Sequence, residues 1–362
     1  MKFIFFALAD TFGYRQIGGT DSYMRRLSSA LVEAEAMVEW VFYESAEITE
    51  AYEAGIKISN FSTFQLAKDY ILELDDIVLV ACYLKPIHKI RLRQLSQSGK
   101  IALWQLNFFY PDTLLKKVFK VCEAAYLRAE VILCASERLV EFYKFFGLKS
   151  TFLPPIIPST YFDVGYSKIR NRSQSGTPIK EGLFLGRLDP RKGILKVIDL
   201  MGAEAIKDKF NWTVSGILIE TDEGNVAARE TLRSMAHICL HLEDRSNYSG
   251  DVEKNVLKFF ENADIFIQPY ESLSSTVDLP LLILEAQAAG CIVLTTLPKQ
   301  LGRYLIPPSV ALEKKFVESA KEKLINLTSL KEEIHVNAEV LKSLEKIYSA
   351  HSVMKKFFSG LK

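Results

Sequence analysis

Residues 181–193 have the sequence EGLFLGRLDPRKG, in which a short apolar run is followed by a turn rich in cations. The run Glu181–Leu185 predicts a buried strand, because short apolar runs bounded by turn residues are typical of parallel sheets. Gly186 ends this strand, and Arg187 and Lys192 follow it in a turn that contains proline and glycine. Open α/β sheets bind ligands at the carboxyl ends of their strands, so this turn is a candidate anion site.

The two cations suit a diphosphate. Arg187 can hold phosphate oxygens through two parallel N–H groups, and Lys192 can act as a point charge on the same group. Together they can neutralise a diphosphate leaving group as its charge develops. A solvated basic turn is the alternative interpretation, and the position of the two residues at a strand end argues against it.

Similar apolar runs alternate with longer amphipathic stretches on both sides of this segment, as in parallel sheets covered by helices. The first half of the chain contains predicted strands at Phe3–Leu8, Val38–Tyr43, Ile77–Ala81, Ile101–Gln105, Val131–Ala135 and Ser150–Leu153. The second half contains predicted strands at Glu181–Leu185, Trp212–Ser215, His237–Leu242, Ile265–Gln268 and Ile292–Thr295. Helices are predicted between them, for example from about Asp21 to Glu35 and from about Asp112 to Arg128. The fold class is therefore α/β, with two doubly wound, Rossmann-like domains that face a cleft.

Domain boundaries follow from composition. Three prolines within residues 154–158 end the first series, and the polar, basic stretch Ser167–Pro178 is predicted to be a linker or surface loop. We therefore place one domain at residues 1–165 and the other at residues 178–339. A long helix is predicted at about Leu330–Phe358, and residues from about 340 to 362 are expected to pack back on the first domain.

Composition excludes several functional classes. The 362 residues contain 45 Lys and Arg against 44 Asp and Glu, a net charge of +1 that argues against general nucleic-acid binding. Five scattered cysteines without paired spacing favour a reducing, cytoplasmic setting. No apolar segment approaches the roughly 20 residues needed to span a bilayer. We therefore expect a cytoplasmic protein that is soluble or, at most, peripheral on the inner face of a membrane.

Two further segments can start helices at a ligand. The loop Gly13–Ser22 contains Gly18-Gly19, and a helix N-terminus beyond such glycines offers N–H groups to an anion. A tight turn without ligand is an equal alternative for this loop. In SSTVDLPLLILEA (274–286), Pro280 suits a first helical position, so a helix is predicted to begin near Leu279. Glu285 lies in an otherwise apolar segment and needs a partner, for which a ribose diol is suitable.

Taken together, these features resemble glycosyltransferase family 4, a group of retaining enzymes with the GT-B architecture. The resemblance is specific in the second half and looser in the first. The matching segments are Gly18-Gly19, Ser136-Glu137, Gly147-Leu148, Gly186-Arg187, Lys192-Gly193, Trp212–Gly216, Tyr248–Gly250, Phe259–Pro269, Leu284–Ala286 and Ala289–Val293.

The resemblance implies transfer of a sugar, with retention, from a nucleoside diphosphate sugar such as a UDP- or GDP-sugar to the hydroxyl of a glycan, lipid-linked or peptide acceptor. It implies that Arg187 and Lys192 bind the donor diphosphate and that Glu285 holds the ribose, generally without a bound metal or other cofactor. The implied donor-binding set is Gly18, Gly19, Gly186, Gly216, Leu279 and Glu285.

Two departures from the family pattern affect the candidate site. Val277 stands where the family has the first Glu of an E-x7-E motif, and Asp278 follows it. Asp278, expected to project from the loop into the cleft, therefore joins Arg187 and Lys192 in the predicted catalytic set as the contact to the donor sugar. A first-domain histidine of the family is missing, and Gln105 or Asn107 is the candidate replacement on the acceptor side.

Weaker patterns leave alternatives open. His237, Cys239 and His241 alternate in a predicted strand, which suggests packing more than a metal site because no fourth ligand is evident. The basic stretch Lys85–Lys100 is either a solvated helix face or a contact to an anionic membrane. The departures also leave two rival functions, a non-catalytic sugar-nucleotide-binding partner subunit and a GT-B nucleotide-sugar epimerase.

Overall fold

A computed structural model describes residues 1–8, 19–45, 50–82, 86–106, 113–175, 179–218, 223–244, 252–271, 277–297, 299–312, 315–329 and 338–361. The chain forms two compact units. The first comprises Met1–Ile156, Thr276–Leu279 and Ile347–Lys362, and the second comprises Ile157–Ser275 and Pro280–Lys346. The boundary thus lies earlier than the residue 165 predicted above, and a short internal segment before Pro280 belongs to the first unit.

The first unit is built on one sheet whose eight described strands are parallel except at one edge. The strands are β1 (Lys2–Leu8), β2 (Met37–Tyr43), β3 (Glu50–Glu53), β4 (Ile56–Phe61), β5 (Ile77–Cys82), β6 (Gly99–Gln105), β7 (Val131–Cys134) and β8 (Ser150–Phe152). Their order is β3-β4-β2-β1-β5-β6-β7-β8. The predicted strands are all present. Strands β3 and β4 were not predicted, and the exposed sequence EAYE of β3 has no apolar run.

Helices cover both faces of this sheet. They are α1 (Gly19–Glu33), α2 (Phe64–Leu72), α3 (Pro86–Leu95), α4 (Leu114–Leu127) and α5 (Glu137–Phe145). One core lies between the sheet and α2, α3, α4 and α5, with buried residues such as Ile71, Leu92 and Leu127. The apolar periodicity of α5 follows this contact, with Leu139, Val140 and Tyr143 buried.

The second unit contains a six-stranded parallel sheet. Its strands are β9 (Glu181–Arg187), β10 (Asn211–Leu218), β11 (Ile238–Asp244), β12 (Ile265–Gln268), β13 (Ile292–Thr295) and β14 (Val310–Ala311), in the order β11-β10-β9-β12-β13-β14. The chain order reverses between β9 and β12, so this pair forms the topological switch point where doubly wound sheets bind ligands.

The helices of the second unit surround this sheet. They are α6 (Ser159–Ser175), α7 (Ile194–Met201), α8 (Glu223–Ser234), α9 (Val252–Asn262), α10 (Leu281–Ala288), α11 (Lys299–Gly302), α12 (Phe316–Ser329) and α13 (Ala338–Tyr348). The buried core of this unit includes Trp212, Val197 and Leu324. None of the described helices is long and apolar enough to cross a membrane.

The predicted linker at Ser167–Pro178 is wrong, because residues up to Ser175 belong to α6 and 176–178 lie outside the described residues. Lys168 donates hydrogen bonds to the backbone carbonyls of Phe260 and Ala263. Arg172 forms an ion pair with Asp264. The polar side chains of this stretch therefore anchor a helix to the second unit instead of solvating a loop.

The long helix predicted at Leu330–Phe358 is also corrected. Residues 330–337 lie outside the described part of the chain, and the remainder forms α13 and α14 (Ala350–Leu361). Ser349 separates the two helices, and its hydroxyl accepts a hydrogen bond from the backbone N–H of Ser352 as an N-cap does. Phe357 of α14 packs against Phe3 of β1 with ring centroids 5.4 Å apart, so this helix is part of the first unit.

Candidate functional site

The candidate site of the second unit begins with two glycines on neighbouring strands. Gly186 of β9 lies opposite Gly216 of β10 in the parallel register. Gly186 has φ of 146°, a value that side-chain-bearing residues rarely adopt. A Cβ at Gly216 would lie 2.8 Å from Leu188 Cδ2, so packing on Leu188 is itself a reason for that glycine. Both predicted glycines therefore lie toward the carboxyl ends of their strands, where Gly186 is partly exposed and Gly216 is buried.

A tight turn follows β9. Pro190–Lys192 forms a single 3₁₀ turn, and the buried Asp189 caps it by accepting a hydrogen bond from the backbone N–H of Arg191 at 2.9 Å. The same carboxylate accepts from Nε and Nη2 of Arg191 at 3.0 and 2.8 Å. Burial alone would raise the pKa of Asp189, but these bonds and the charges of Arg191 and Arg187 outweigh it and lower the pKa. The bonds between Arg191 and Asp189 thus stabilise the turn between Arg187 and Lys192.

The turn ends at a glycine that no other residue can replace without rearrangement. Gly193 has φ of 81°, and a Cβ there would lie 1.5 Å from the carbonyl oxygen of Pro269. The backbone N–H of Glu271 donates to the carbonyl of Arg191 at 3.0 Å, which joins the turn to the segment after β12. The carboxyl ends of β9 and β12 are therefore locked together at the switch point.

Lys192 is half-buried in this arrangement, with Nζ 4.9 Å from the centre of the Tyr270 ring. Burial, followed by the positive charge of Arg187, lowers its pKa to about 8, and Asp189 opposes this shift only in part. The structure therefore holds two positive charges close enough to repel each other. A ligand with two or more negative charges would relieve this repulsion, which is the electrostatic property expected of a diphosphate site.

Gln268 at the end of β12 was not predicted. Its side chain is 1% exposed, and Nε2 lies 3.4 Å from the carbonyl oxygen of Lys192. Oε1 has no hydrogen-bond partner among the described residues, and a Cβ on Gly186 would lie 3.9 Å from it. An unpaired buried acceptor is costly, so a hydroxyl donor from a ligand at this position would be favourable. Sequence analysis could have identified Gln268, because a polar amide at the end of a predicted buried strand is a candidate ligand contact.

Glu285 lies on α10, whose residues are nearly all buried. Its own side chain is 3% exposed. Pro280 stands at the N-cap and provides no side-chain hydrogen bond, so the first N–H groups of the helix are not capped by that residue. The predicted helix start near Leu279 is confirmed to within one or two residues.

Asp278 differs from the expectation that it projects into an open cleft. Its carboxylate is 3% exposed and accepts a hydrogen bond from Ser136 Oγ at 2.7 Å. Its backbone N–H donates to the carbonyl of Leu106 at 2.9 Å, and the Tyr23 hydroxyl donates to the carbonyl of Leu279. The segment before α10 is therefore anchored in the first unit, and the pattern E-x7-E could not reveal this.

Lys120 and Gln105 lie in the same buried cluster of the first unit. Lys120 Nζ donates to Gln105 Oε1 at 2.9 Å. Burial lowers the pKa of Lys120 to about 8, although Glu123 and Asp278 act in the opposite direction. The predicted acceptor-side residue Gln105 is thus only 9% exposed and bound to a lysine that sequence reasoning missed.

Other predicted residues are not joined to these clusters. Gly18 and Asn107 lie outside the described residues, and Gly19 is the first residue of α1. His237 contacts the carbonyl of Met201 at 3.1 Å, whereas Cys239 Sγ lies 3.2 Å from His241 Nε2. In the described part of the chain, no group of three or more His, Cys, Asp or Glu residues has the arrangement of a metal site.

A cavity of about 380 Å³ in the second unit lies near the amino ends of the strands, away from the carboxyl ends that form the candidate site. Its lining includes Glu181 and Thr213 near the amino ends of β9 and β10, together with Lys258 and Phe259 of α9. Its lining includes none of residues 186–193, which form the end of β9 and the turn after it. We therefore assign the candidate site from the strand ends and their charges and not from cavity size.

The sequence and the fold are both similar to those of known proteins. Residues 167–338 match the family model described as glycosyl transferases group 1. The fold is similar to that of sucrose-phosphate synthase from Thermosynechococcus elongatus, with a TM-score of 0.72, 12% identity and coverage of 99% of this chain and 98% of the other. The chain is a glycosyltransferase of the GT-B fold.

Two other similar structures were solved with sugars bound. A trehalose-phosphate synthase (UDP-forming) from Burkholderia xenovorans, in complex with glucose-6-phosphate, has a TM-score of 0.70, 11% identity and complete coverage of both chains. HepE from Anabaena, in complex with UDP and glucose, has a TM-score of 0.69, 10% identity and coverage of 100% and 99%. No curated protein sequence matches this glycosyltransferase at a significant level. At such low identity the structural likeness establishes the fold of this glycosyltransferase.

The matched region of the glycosyltransferase contains the turn after β9 as well as Gln268, Asp278 and Glu285. The predicted fold class, a two-domain α/β protein of the GT-B type, is confirmed. The residues predicted to act on the donor thus fall within the part of the chain that carries the family match.

Proposed function

We propose that this glycosyltransferase transfers a sugar, with retention of anomeric configuration, from a UDP- or GDP-sugar to a hydroxyl group of a glycan, a lipid-linked saccharide or a peptide. The observation that carries the donor assignment is the position of Arg187 at the end of β9 and of Lys192 in the turn that follows it, at the β9/β12 switch point. The resemblance to family 4 supports retention. UDP in the similar HepE structure supports a uridine donor.

In this proposal the diphosphate lies against the glycine-bearing ends of β9 and β10. Arg187 and Lys192 stabilise the negative charge that develops as the sugar leaves. Glu285 accepts hydrogen bonds from the ribose hydroxyls, and Gln268 Oε1 accepts one from a donor hydroxyl. The first N–H groups of α10 add a favourable dipole.

Retention requires either a carboxylate nucleophile or attack on the same face that the diphosphate leaves. Among the described residues of this region, Asp189 is bonded to Arg191, and Glu271 pairs with Lys196 at 2.9 Å. Asp278 is bonded to Ser136. These contacts favour front-face attack in which the leaving phosphate accepts the proton of the acceptor hydroxyl.

We further propose that transfer needs no metal cofactor, because Arg187 and Lys192 supply the positive charge at the diphosphate. A cytoplasmic location is also proposed. All five cysteines are free, which fits a reducing compartment.

A donor screen followed by product analysis tests the proposal. Thermal unfolding is measured with UDP-, GDP- and ADP-sugars, and a true donor at 100 times its dissociation constant stabilises by about 2.7 kcal/mol. The selected donor is then incubated with candidate acceptors, and the anomeric configuration of the product is determined by NMR. An inverted product would refute retention, and conversion of the donor without acceptor to a sugar epimer would favour an epimerase.

A further inference from the structure

Strand β11 carries a cysteine and a histidine on its outward face. It is the edge strand of the second sheet. Ile238, Leu240 and Leu242 pack against the core of the second unit. Because alternate residues of a strand face opposite sides, Cys239 and His241 share the other face, and both are exposed. The pair is therefore set by the register of the strand and not by chance contact between two loops.

The two side chains are within hydrogen-bond distance of each other. Sγ of Cys239 lies 3.2 Å from Nε2 of His241. The imidazole ring packs edge-on against the ring of Phe259 on α9, with centroids 5.4 Å apart, which holds it beside the thiol. An imidazole in this position can accept the thiol proton as the sulfur attacks an electrophile. The geometry is that of an activated nucleophile.

The other four cysteines have different surroundings. Cys82, Cys134 and Cys291 are buried. Burial raises the pKa of the Cys134 and Cys291 thiols, which disfavours the nucleophilic thiolate. Cys122 is exposed on α4, a helix whose sequence contains no histidine. Exposure and a neighbouring imidazole thus coincide at Cys239.

The cavity of about 380 Å³ described above lies beside this pair. His241 lines it, and so does Thr213, the register partner of Cys239 on β10. Register partners in a parallel sheet lie side by side on one face, so Cys239 borders the cavity. Sites for small ligands typically enclose about 300–1,000 Å³. The cavity can therefore accept a small group attached to the sulfur.

The lining of the cavity indicates the chemistry of such a group. Its charged residues, apart from the histidine, are Glu181 and Lys258. Glu181 Oε1 accepts a hydrogen bond from Asn211 Nδ2 at 2.6 Å, whereas Lys258 is exposed. Asn255 adds a side-chain amide. A substituent that carries carboxylates and peptide amides matches the ammonium of Lys258 and the amide of Asn255.

We propose that Cys239 is a modification site that forms a mixed disulfide with a small peptide disulfide of the glutathione type, and that the cavity holds the attached peptide. His241 accepts the thiol proton as Sγ attacks one sulfur of the disulfide. The new S–S bond forms as the old one breaks, and the leaving thiolate takes the proton from the imidazolium. Cys239 is thereby oxidised, and one half of the small disulfide is reduced to its thiol. None of the residues proposed to bind the donor takes part.

Peptide mapping of the full chain after incubation with glutathione disulfide at pH 7 tests this proposal. Cys239 should be modified about fivefold faster than Cys122, since an ordinary thiol is only about 3% ionised at pH 7 and the lower nucleophilicity of a paired thiolate offsets part of the gain. His241→Ala should remove this difference and leave the rate at Cys122 unchanged. Thermal unfolding checks that the variant is folded. Equal rates for Cys239 and Cys122 in wild type, or an unchanged rate in His241→Ala, would overturn the proposal.

A charge reversal in the cavity tests where the attached peptide lies. Lys258→Glu should slow the reaction of Cys239 with glutathione disulfide about threefold and accelerate the reaction with cystamine, a disulfide that carries two ammonium groups. Lys355→Glu is the matched control, because Lys355 is an exposed lysine on α14 of the first unit, and it should change neither rate. The same effect of Lys258→Glu on both disulfides would refute the role of the cavity.

Discussion

Lys192 gives the candidate donor site a pH dependence that can be measured. Its pKa is lowered to about 8 by burial and by the charge of Arg187, so the ammonium loses its proton within an accessible pH range. A bound diphosphate favours the charged form and raises this pKa. Affinity for a nucleoside diphosphate should therefore be fully present below pH 8 and decrease as the pH rises through that value.

The magnitude follows from the fraction of protonated Lys192. With a pKa of about 8, roughly 90% of the free protein carries the charge at pH 7 and roughly 10% at pH 9. If only the charged form binds tightly, the affinity falls about tenfold between these values. The ligand contributes little to this change, because the second phosphate pKa of about 6 leaves it ionised throughout.

Isothermal titration calorimetry with UDP and GDP between pH 7 and pH 9 provides the measurement. Lys192→Arg should retain binding and remove the pH dependence, since a guanidinium stays charged. Lys196→Ala, which removes the partner of Glu271, is the control and should keep the wild-type profile. Lys120 also has a pKa near 8, so a profile that persists in Lys192→Arg would show that Lys192 is not its origin and refute the reasoning.

The remaining predictions concern the rest of the site. Arg187→Ala should lower turnover several hundredfold with little change in thermal stability, because removal of one charge-stabilising group typically costs about 3–4 kcal/mol of barrier; near-normal turnover would exclude it from the site. Glu285→Gln should weaken binding of free nucleoside diphosphate and of the intact sugar nucleotide alike, whereas Asp278→Asn should spare the free diphosphate and impair transfer. Equal calorimetric losses for both ligands in Asp278→Asn would leave that residue a purely structural role. Gly193→Ala should destabilise the protein by more than about 1 kcal/mol in denaturant titration, because of its positive φ and the nearby Pro269 carbonyl; unchanged stability would contradict this packing. Chelator should leave transfer intact, and loss of activity restored by Mg²⁺ or Mn²⁺ would show that a metal supplies the charge.

The sequence was informative where local chemistry and position agree. The apolar run before Gly186 predicted β9, and the rule that ligands bind at strand ends then selected the turn after it. The individual cations were harder to separate. Arg187 ends β9, and Arg191 and Lys192 follow it in the next turn. Only the structure shows that Arg191 is bonded to Asp189 while Lys192 lies against Tyr270.

Errors arose where polar side chains serve packing. The stretch after Tyr166 contains few apolar residues, so composition indicated a linker. In α6, however, Lys168 and Arg172 bond to backbone carbonyls and to Asp264. Such long-range partners lie about 90 residues away along the chain, and periodicity cannot identify them.

Helix α4 shows a second limit of periodicity. Its spacing predicted a helix correctly, from about Asp112 to Arg128 against the observed Leu114–Leu127. A hydrophobic stripe at helical spacing is normally assigned to the core. Here the small face of Ala124 and Leu127 packs inward, and the larger stripe around Phe119 faces outward. Which face of α4 packs inward depends on the space that the sheet and the neighbouring helices leave for its side chains. That space is set by the assembled unit and not by the helix sequence alone.

Asp278 shows how the two kinds of information combine. Its spacing from Glu285 suggested a displaced member of a sugar-binding pair. The structure instead buries its carboxylate with Ser136 and near the charge of Lys120. A buried carboxylate retains its charge at lower cost when a hydroxyl donor and a cation face it. The chain immediately after it enters α10, which carries Glu285. The Asp278 carboxylate therefore belongs to a buried polar cluster with Ser136. Loss of transfer in Asp278→Asn without loss of diphosphate binding would show that this cluster acts on the reacting sugar and not through Glu285.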